Sequence, residues 1–122
     1  MNNNMQKVKI LFVIDTLGSG GKERRLTELL KVLKLRGEVD FELVVMSEDI
    51  HYTEIFDLGI NVRKIIRKTA KDLTVFRKFY SLIKDYKPDL VHCWESMTAV
   101  YLAPVCFLLK CRLINGMVTN SP

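Results

Sequence analysis

The apolar positions of the chain follow two alternating patterns that predict an α/β fold. Residues 8–14 are apolar except for Lys9 and rich in β-branched side chains, which is typical of a central parallel strand covered on both faces. After Lys22, leucines recur at the spacing of one helix face. These are Leu26, Leu29, Leu30 and Leu33. Gly37 supplies the expected end of this first helix.

Four further apolar segments continue the alternation as strands. The predicted strands cover residues 41–46, 61–66, 89–93 and 112–117. Because crossovers between parallel strands are right-handed, the expected fold is a doubly wound, Rossmann-like parallel sheet with helices on both faces. The expected strand order is 3-2-1-4-5, which places a crevice between the first and fourth strands.

Three more helices are predicted between these strands. A short one covers residues 51–58 and ends at Gly59. The next has Asp72 as its expected N-cap and ends before Pro88, and its predicted core stripe is Leu73, Phe76, Phe79, Tyr80 and Ile83. The last covers residues 97–109, with Pro104 expected to kink it. That helix is too short to span a bilayer, which needs about 20 residues.

A glycine-rich turn, residues 18–21, separates the first strand from the first helix. Glycine lets the backbone turn tightly and approach a ligand closely, and the N-terminus of the following helix favours an anion such as phosphate. The dinucleotide fingerprint is not met, because Glu23 stands in place of its third glycine. The P-loop is not met either, because Glu23 also stands where a Ser or Thr is required. The turn is therefore either a phosphate-binding loop or a structural feature.

Three short motifs resemble those of one enzyme family. The run DTLGSGGKERRL, residues 15–26, is similar to the first strand–helix loop of retaining GT-B glycosyltransferases, which include sucrose synthases and bacterial polysaccharide and lipid-linked glycan transferases. KPDLVH, residues 87–92, resembles the PDxVH strand of that family, and LING, residues 113–116, is a third match. The resemblance implies a single half of a two-domain architecture. Residues 1–6 would be a flexible tail and 7–122 the acceptor-side domain, with the C-terminal donor domain absent.

The resemblance also implies a function and a set of site residues. The full-length enzyme would move a sugar from a nucleotide-sugar donor, a substrate rather than a cofactor, to a glycan or lipid-linked acceptor with retention of configuration. The family's paired glutamates belong to the second domain, so no catalytic residue is expected here and the chain alone should be inactive. The residues expected beside the donor diphosphate are Gly20, Gly21 and Lys22, and those expected to line the acceptor pocket are His92, Glu95 and Asn115.

Composition and charge narrow the range of partners. The 122 residues are 48% hydrophobic and 27% charged, as in an ordinary globular domain, and the net charge of +5 indicates an anionic partner. The densest run of basic residues comprises Arg63, Lys64, Arg67, Lys68 and Lys71. It is either a solvated loop or a peripheral contact with anionic lipid head groups. Nucleic acid is not expected, since basic and acidic residues are mixed along the helices.

The three cysteines and the short polar N-terminal segment predict that the protein lies in the reducing cytoplasm. There it would be either free or bound peripherally at the inner face of the membrane. Cys93, Cys106 and Cys111 form no CxxC pair and have no histidine at metal-ligand spacing, so no metal site is expected. Cys93 and Cys106 lie in apolar runs and are expected to be inert core residues. We also expect exposed apolar surface on the 97–109 helix or beside the last strand.

Two other functions compete with sugar transfer. One is a nucleotide- or phosphate-sensing interaction module with the same fold. The other is an NAD-dependent enzyme, which the glycine pattern disfavours. An NAD site of this fold needs an acidic residue at the end of the second strand to hold the ribose. Glu48 and Asp49 lie only near that position.

Overall fold

In the computed structural model, the described residues are 7–15, 21–48, 59–66, 73–94 and 96–115. Strands and helices alternate along them. The elements are β1 (Val8–Ile14), α1 (Gly21–Arg36), β2 (Val39–Val45), β3 (Val62–Lys64), α2 (Thr74–Tyr86), β4 (Leu90–Cys93), α3 (Ser96–Leu109) and β5 (Arg112–Asn115).

The strands form one parallel sheet in the order β3-β2-β1-β4-β5, which confirms the predicted Rossmann-like arrangement. All seven residues of β1 pair with β2, and four of them also pair with β4. β1 is therefore the centre of the sheet. The chain leaves β1 toward β2 and β3, then returns to place β4 on the other side of β1, and this reversal creates the switch point.

Alternate residues of β1 enter two separate cores, because successive side chains of a strand point to opposite faces. Phe12 and Ile14 pack with Leu26 and Leu30 of α1 on one face. On the other face, Leu11 and Val13 pack with core residues that include Phe79 of α2 and Leu102 of α3. Both faces of β1 are thus covered, as its apolar pattern predicts.

The first helix ends as the sequence predicts. Gly37 adopts a φ of 65°, and its N–H donates to the carbonyl of Leu33 at 3.0 Å. This left-handed residue closes the helix. Lys87 and Lys110 adopt the same conformation after α2 and α3, with φ values of 56° and 57°. Neither cap was predicted from the sequence, because neither residue is glycine.

The predicted start and core stripe of α2 were partly wrong. The N-cap position is held by Leu73, with no side-chain cap hydrogen bond, instead of Asp72. The buried residues are Val75, Phe79 and Ile83, whereas Leu73 is 73% exposed and Tyr80 is 36% exposed. Leu73 precedes the first turn of the helix, so it lies beyond the packed face, and the true stripe runs i, i+4, i+8 from Val75.

Several element bounds also differ from the prediction. β2 begins at Val39, two residues before the predicted start, and β3 covers only three of the six predicted residues. α3 runs from Ser96 to Leu109 with Pro104 inside it. The predicted helix over 51–58 and the end of the fifth strand after Asn115 lie outside the described residues. Within the described ranges, no helix has both the length and the apolar character needed to cross a bilayer.

The outer side of α3 carries the exposed apolar surface that the sequence predicts. Val100, Phe107 and Leu108 are 63%, 82% and 67% exposed, and Ala103 and Pro104 are exposed between them. These five residues recur at i, i+3, i+4, i+7 and i+8, and we call them the α3 stripe. Ile114 of the neighbouring edge strand β5 is also half exposed.

Candidate functional site

The carboxyl ends of β1 and β4 meet at the switch point of the sheet. The N–H of Trp94, just after β4, donates to the carbonyl of Val13 at 3.0 Å. On the other side of β1, the N–H of Met46 donates to the carbonyl of Ile14 at 3.1 Å. These two hydrogen bonds keep the segments that follow β4 and β2 close to β1. In open α/β sheets this edge is where ligands bind.

Two helices begin after these strand ends. α1 starts at Gly21 and α3 at Ser96, so each follows its strand after a short connection. Free backbone N–H groups and the positive end of the helix dipole make such starts favourable for an anion. Of the predicted diphosphate contacts, Gly21 and Lys22 are the first two residues of α1. Gly20 lies outside the described residues, as does the predicted acceptor residue Glu95.

A buried acidic residue occupies the first turn of α1. Glu23 is 7% exposed, and its carbonyl accepts a hydrogen bond from Thr27 Oγ1 at 2.9 Å. A carboxylate at this position stabilises the helix through the dipole. It also adds negative charge at the start of α1.

His92 is half buried between two aromatic rings. Its imidazole lies 5.7 Å from the ring of Phe12 and 5.1 Å from the ring of Trp94, centroid to centroid, with the His92 and Trp94 planes inclined by 29°. His92 is in register with Phe12, so it points to the sheet face that α1 covers. The half-buried His92 therefore stacks on a buried Trp94 near the carboxyl end of β4.

Asn115 is directed to the other face. It is in register with Cys93, and its Oδ1 accepts a hydrogen bond from Cys93 Sγ at 3.3 Å. His92 is instead in register with Ile114. Since neighbouring positions of a strand alternate between faces, the structure does not bring His92 and Asn115 together on one face.

Two buried polar atoms near this edge lack hydrogen-bond partners among the described residues. They are Nε1 of Trp94, a residue 6% exposed, and Oγ1 of Thr98, a residue 1% exposed in the first turn of α3. A buried polar group without a partner is costly, so such groups often mark sites that bind a ligand or water. No sequence pattern identified Thr98 as a site residue. Its position just after a strand end was the available signal.

The cysteines offer no activated nucleophile. Cys93 and Cys106 are buried, as predicted. Burial raises the pKa of Cys106 to about 12, and burial also raises the pKa of Cys111. A thiol in such surroundings stays protonated near neutral pH. Among the described residues, no group of three or more His, Cys, Asp or Glu side chains could hold a metal ion.

Of the two acidic residues considered for the NAD alternative, Asp49 lies outside the described residues and Glu48 pairs with a lysine. Glu48 Oε1 lies 3.0 Å from Lys64 Nζ of β3, so its carboxylate is held at the far edge of the sheet. On the same strand, Arg63 pairs with the buried Glu42. The remaining members of the predicted basic run, Arg67, Lys68 and Lys71, lie outside the described residues.

Several solved structures share this fold. A glycosyltransferase from Rickettsia africae matches 97% of the chain with a TM-score of 0.75 and 23% identity. The lipopolysaccharide outer core galactosyltransferase WaaB matches 88% with a TM-score of 0.70 and 14% identity. MurG from Acinetobacter baumannii matches 88% with a TM-score of 0.68 and 16% identity. No protein-family model and no curated protein sequence matches the chain.

The likeness extends over nearly the whole chain but only part of each neighbour. The chain spans 32% of the rickettsial and WaaB structures and 34% of MurG. At identities below 25%, the likeness establishes the Rossmann-like fold.

Proposed function

We propose that this chain is the acceptor-side N-terminal domain of a GT-B glycosyltransferase. The complete enzyme moves a sugar from a nucleotide-sugar to a glycan or lipid-linked acceptor, with retention of configuration. The observation that carries the proposal is the fold match over 88–97% of the chain, which includes two structures named as sugar transferases. The motifs at residues 15–26 and 87–92 support it, since Asp15 follows β1 and His92 lies in β4, the two strands beside the crevice.

The start of α1 is the proposed contact for the donor diphosphate. Backbone N–H groups of Gly20 and Gly21 approach the phosphates, and Lys22 adds a positive charge. Negative charge grows on the leaving diphosphate as the glycosidic bond breaks. Fixed N–H donors and a cation are most effective when they face the place where such charge develops.

The acceptor is proposed to lie beside β4. His92 is half buried and stacks on the buried Trp94, so the exposed part of the His92 ring is available to pack against an apolar sugar face. Glu95, one residue further along, would supply a carboxylate for acceptor hydroxyls. Asn115 would contribute only from the end of β5, since its side chain is engaged with Cys93.

A second, donor-binding domain is part of this proposal. The groups that would hold the nucleotide and the paired glutamates are assigned to it, so the 122-residue chain by itself is expected to be inactive and to bind nucleotide-sugars weakly. We place the enzyme in the cytoplasm, with a peripheral contact to anionic lipid through the basic run that begins at Arg63.

The test uses the enzyme with both domains and a Gly20→Val substitution. The added side chain would keep the backbone of the loop away from phosphate, so we expect sugar transfer to fall by about 10²-fold or more. Release of nucleoside diphosphate from UDP- and GDP-sugars gives the rate, and NMR of the product gives its anomeric configuration.

The matched control is Val32→Ala on the same helix, at a side chain that is 48% exposed. Its transfer rate should equal that of the parent. Full activity of a folded Gly20→Val enzyme would remove the loop from the site. Absence of transfer with every nucleotide-sugar donor would argue against the proposed function as a whole.

A further inference from the structure

A groove opens between the edge strand β3 and helix α2, across β2 from the switch point. Its volume of about 590 Å³ falls within the range of about 300–1,000 Å³ that is typical of small-molecule sites. Ile65 and Leu82 supply apolar lining. The polar lining includes four cations, Arg63 and Lys64 from β3 and Arg77 and Lys78 from α2.

The positive charge of the groove is only partly neutralised. Arg63 pairs with Glu42, and Lys64 pairs with Glu48. Arg77 and Lys78 have no ion-pair or hydrogen-bond partner within the part of the chain that the structure describes. One carboxylate, that of Asp85, also lines the groove. Against the four cations, the three carboxylates of Glu42, Glu48 and Asp85 leave one net positive charge, which favours an anion.

The two unpaired cations lie where they oppose the stability of their own helix. α2 has no acidic residue in its first turn and no side-chain cap, and Arg77 and Lys78 are its fourth and fifth residues. Positive charge near a helix N-terminus repels the positive end of the dipole. A bound anion in the groove would offset that repulsion.

We propose that this groove binds a phosphate group borne by a small organic molecule or a lipid. Guanidinium groups contact phosphate oxygens through two parallel hydrogen bonds, while lysine supplies a point charge. Ser81 adds a hydroxyl donor in the same groove. The apolar side chains of Ile65 and Leu82 accommodate the carbon skeleton attached to the phosphate. The site is separate from the switch point and does not depend on the transferase proposal.

The experiment is an NMR titration of the 122-residue chain with inorganic pyrophosphate at low salt. We expect amide shifts at residues 63–65 and 77–82, and weaker binding as NaCl is added, since salt screens charge over about 10 Å at 0.1 M. Arg77→Gln with Lys78→Gln should weaken binding by roughly tenfold for each cation removed. The same double variant should keep or raise the thermal midpoint, because it removes charges that oppose the helix dipole.

The control double variant is Arg36→Gln with Lys84→Gln. It removes one arginine and one lysine from exposed positions in the last turns of α1 and α2, outside the groove. Pyrophosphate binding by this control should stay within about twofold of the parent. Equal weakening by both double variants would show that only net charge matters and would overturn the proposal, as would shifts confined to the start of α1.

Vesicles distinguish the source of the phosphate. Phosphatidylcholine vesicles carry either phosphatidic acid, a phosphomonoester, or phosphatidylglycerol at equal surface charge. Pyrophosphate binding in the groove supports a free phosphate compound. Binding only to phosphatidic acid, lost in the Arg77 and Lys78 variant, supports a lipid head group. Equal binding to both lipids without a pyrophosphate response, or no binding to any probe, would overturn the site.

Discussion

At the scale of single residues, burial decides which side chains hold the fold. Phe79 is fully buried in the core that α2 and α3 share with the sheet, whereas Leu73, six positions earlier, is 73% exposed. Both belong to the predicted stripe of α2. Sequence periodicity identified the helix, but its phase depends on where the first turn begins, and the uncapped start at Leu73 gave no signal for that position.

Replacement of these two residues tests the corrected stripe. Phe79→Ala should lower the free energy of unfolding by about 3–5 kcal/mol, through lost apolar burial and the cavity left behind. Leu73→Ala should change it by no more than about 0.5 kcal/mol. Urea denaturation at 25 °C measures both. Equal losses would mean that Leu73 belongs to the core, as the sequence pattern predicted.

A second prediction concerns the Cys106 thiol. Its pKa of about 12 in the folded chain exceeds the ordinary value of 9.0, because burial disfavours the thiolate. Its stabilising effect is therefore complete below pH 9 and is lost as pH rises from 9 toward 12. The loss can reach at most about 1.4 kcal/mol per pH unit for one group.

Unfolding measured from pH 8 to 11 in the parent and in Cys106→Ala isolates this effect. The variant should lose stability less steeply above pH 9, although other groups titrate in both proteins. Identical slopes would show that the thiol ionises equally well in the folded and unfolded chain.

At the scale of elements, the shortest strand depends on an ion pair. β3 has three residues, and Arg63 from it reaches Glu42 of β2, whose side chain is 10% exposed. The neighbouring pair of Lys64 with Glu48 is at the surface, with Glu48 72% exposed. The first pair holds β3 to the sheet more strongly, because its carboxylate is largely removed from water.

Methionine substitutions compare the two pairs. Arg63→Met should cost about 1–3 kcal/mol of unfolding free energy, because it leaves a buried carboxylate without its partner. Lys64→Met should cost less than about 1 kcal/mol, as expected for an exposed pair. Thermal and urea unfolding at pH 7 provide the measurement. A larger loss for Lys64→Met would contradict this ranking.

The elements that were predicted correctly are those whose hydrophobic pattern lies within a single segment of the chain. β1 and α1 follow from an apolar run and a leucine stripe, so both lie where the sequence places them. β3 was predicted at twice its length, because its ladder ends where β2 stops offering partners at Val45. The length of a strand depends on the neighbouring strand, and the hydrophobic pattern of one segment carries no information about that neighbour.

At the scale of the whole molecule, strand order was predictable and the sites were not. Alternating strands and helices with right-handed crossovers leave few topologies, and the order found is the expected one. The relation between His92 and Asn115 depends instead on register between β4 and β5. The groove between β3 and α2 combines residues from two elements whose contact no local pattern encodes.

The α3 stripe makes a prediction for the 122-residue chain as an isolated molecule. Its five exposed apolar residues should cause self-association at concentrations of tens of micromolar and above. Phe107→Glu with Leu108→Lys should shift the chain toward monomer without altering net charge. Leu35→Glu, at a single exposed leucine of α1, is the control and should leave association unchanged.

Sedimentation velocity measures these three proteins at matched concentrations. A parent chain that stays monomeric over the whole range would show that the stripe does not drive association. Equal dissociation by the control would show that the effect does not depend on the α3 stripe.

The central position of β1 has a consequence for how the protein is made. Lys9 and Asp89 exchange backbone and side-chain hydrogen bonds across 80 positions of sequence, where β4 joins β1. At a synthesis rate of about 5–20 residues per second, β4 leaves the ribosome roughly 4 to 16 s after β1. During that interval β1 can pair with β2 along one edge while its other edge is open to foreign strands. Until β4 is synthesised, this open edge of β1 is therefore exposed to mispairing.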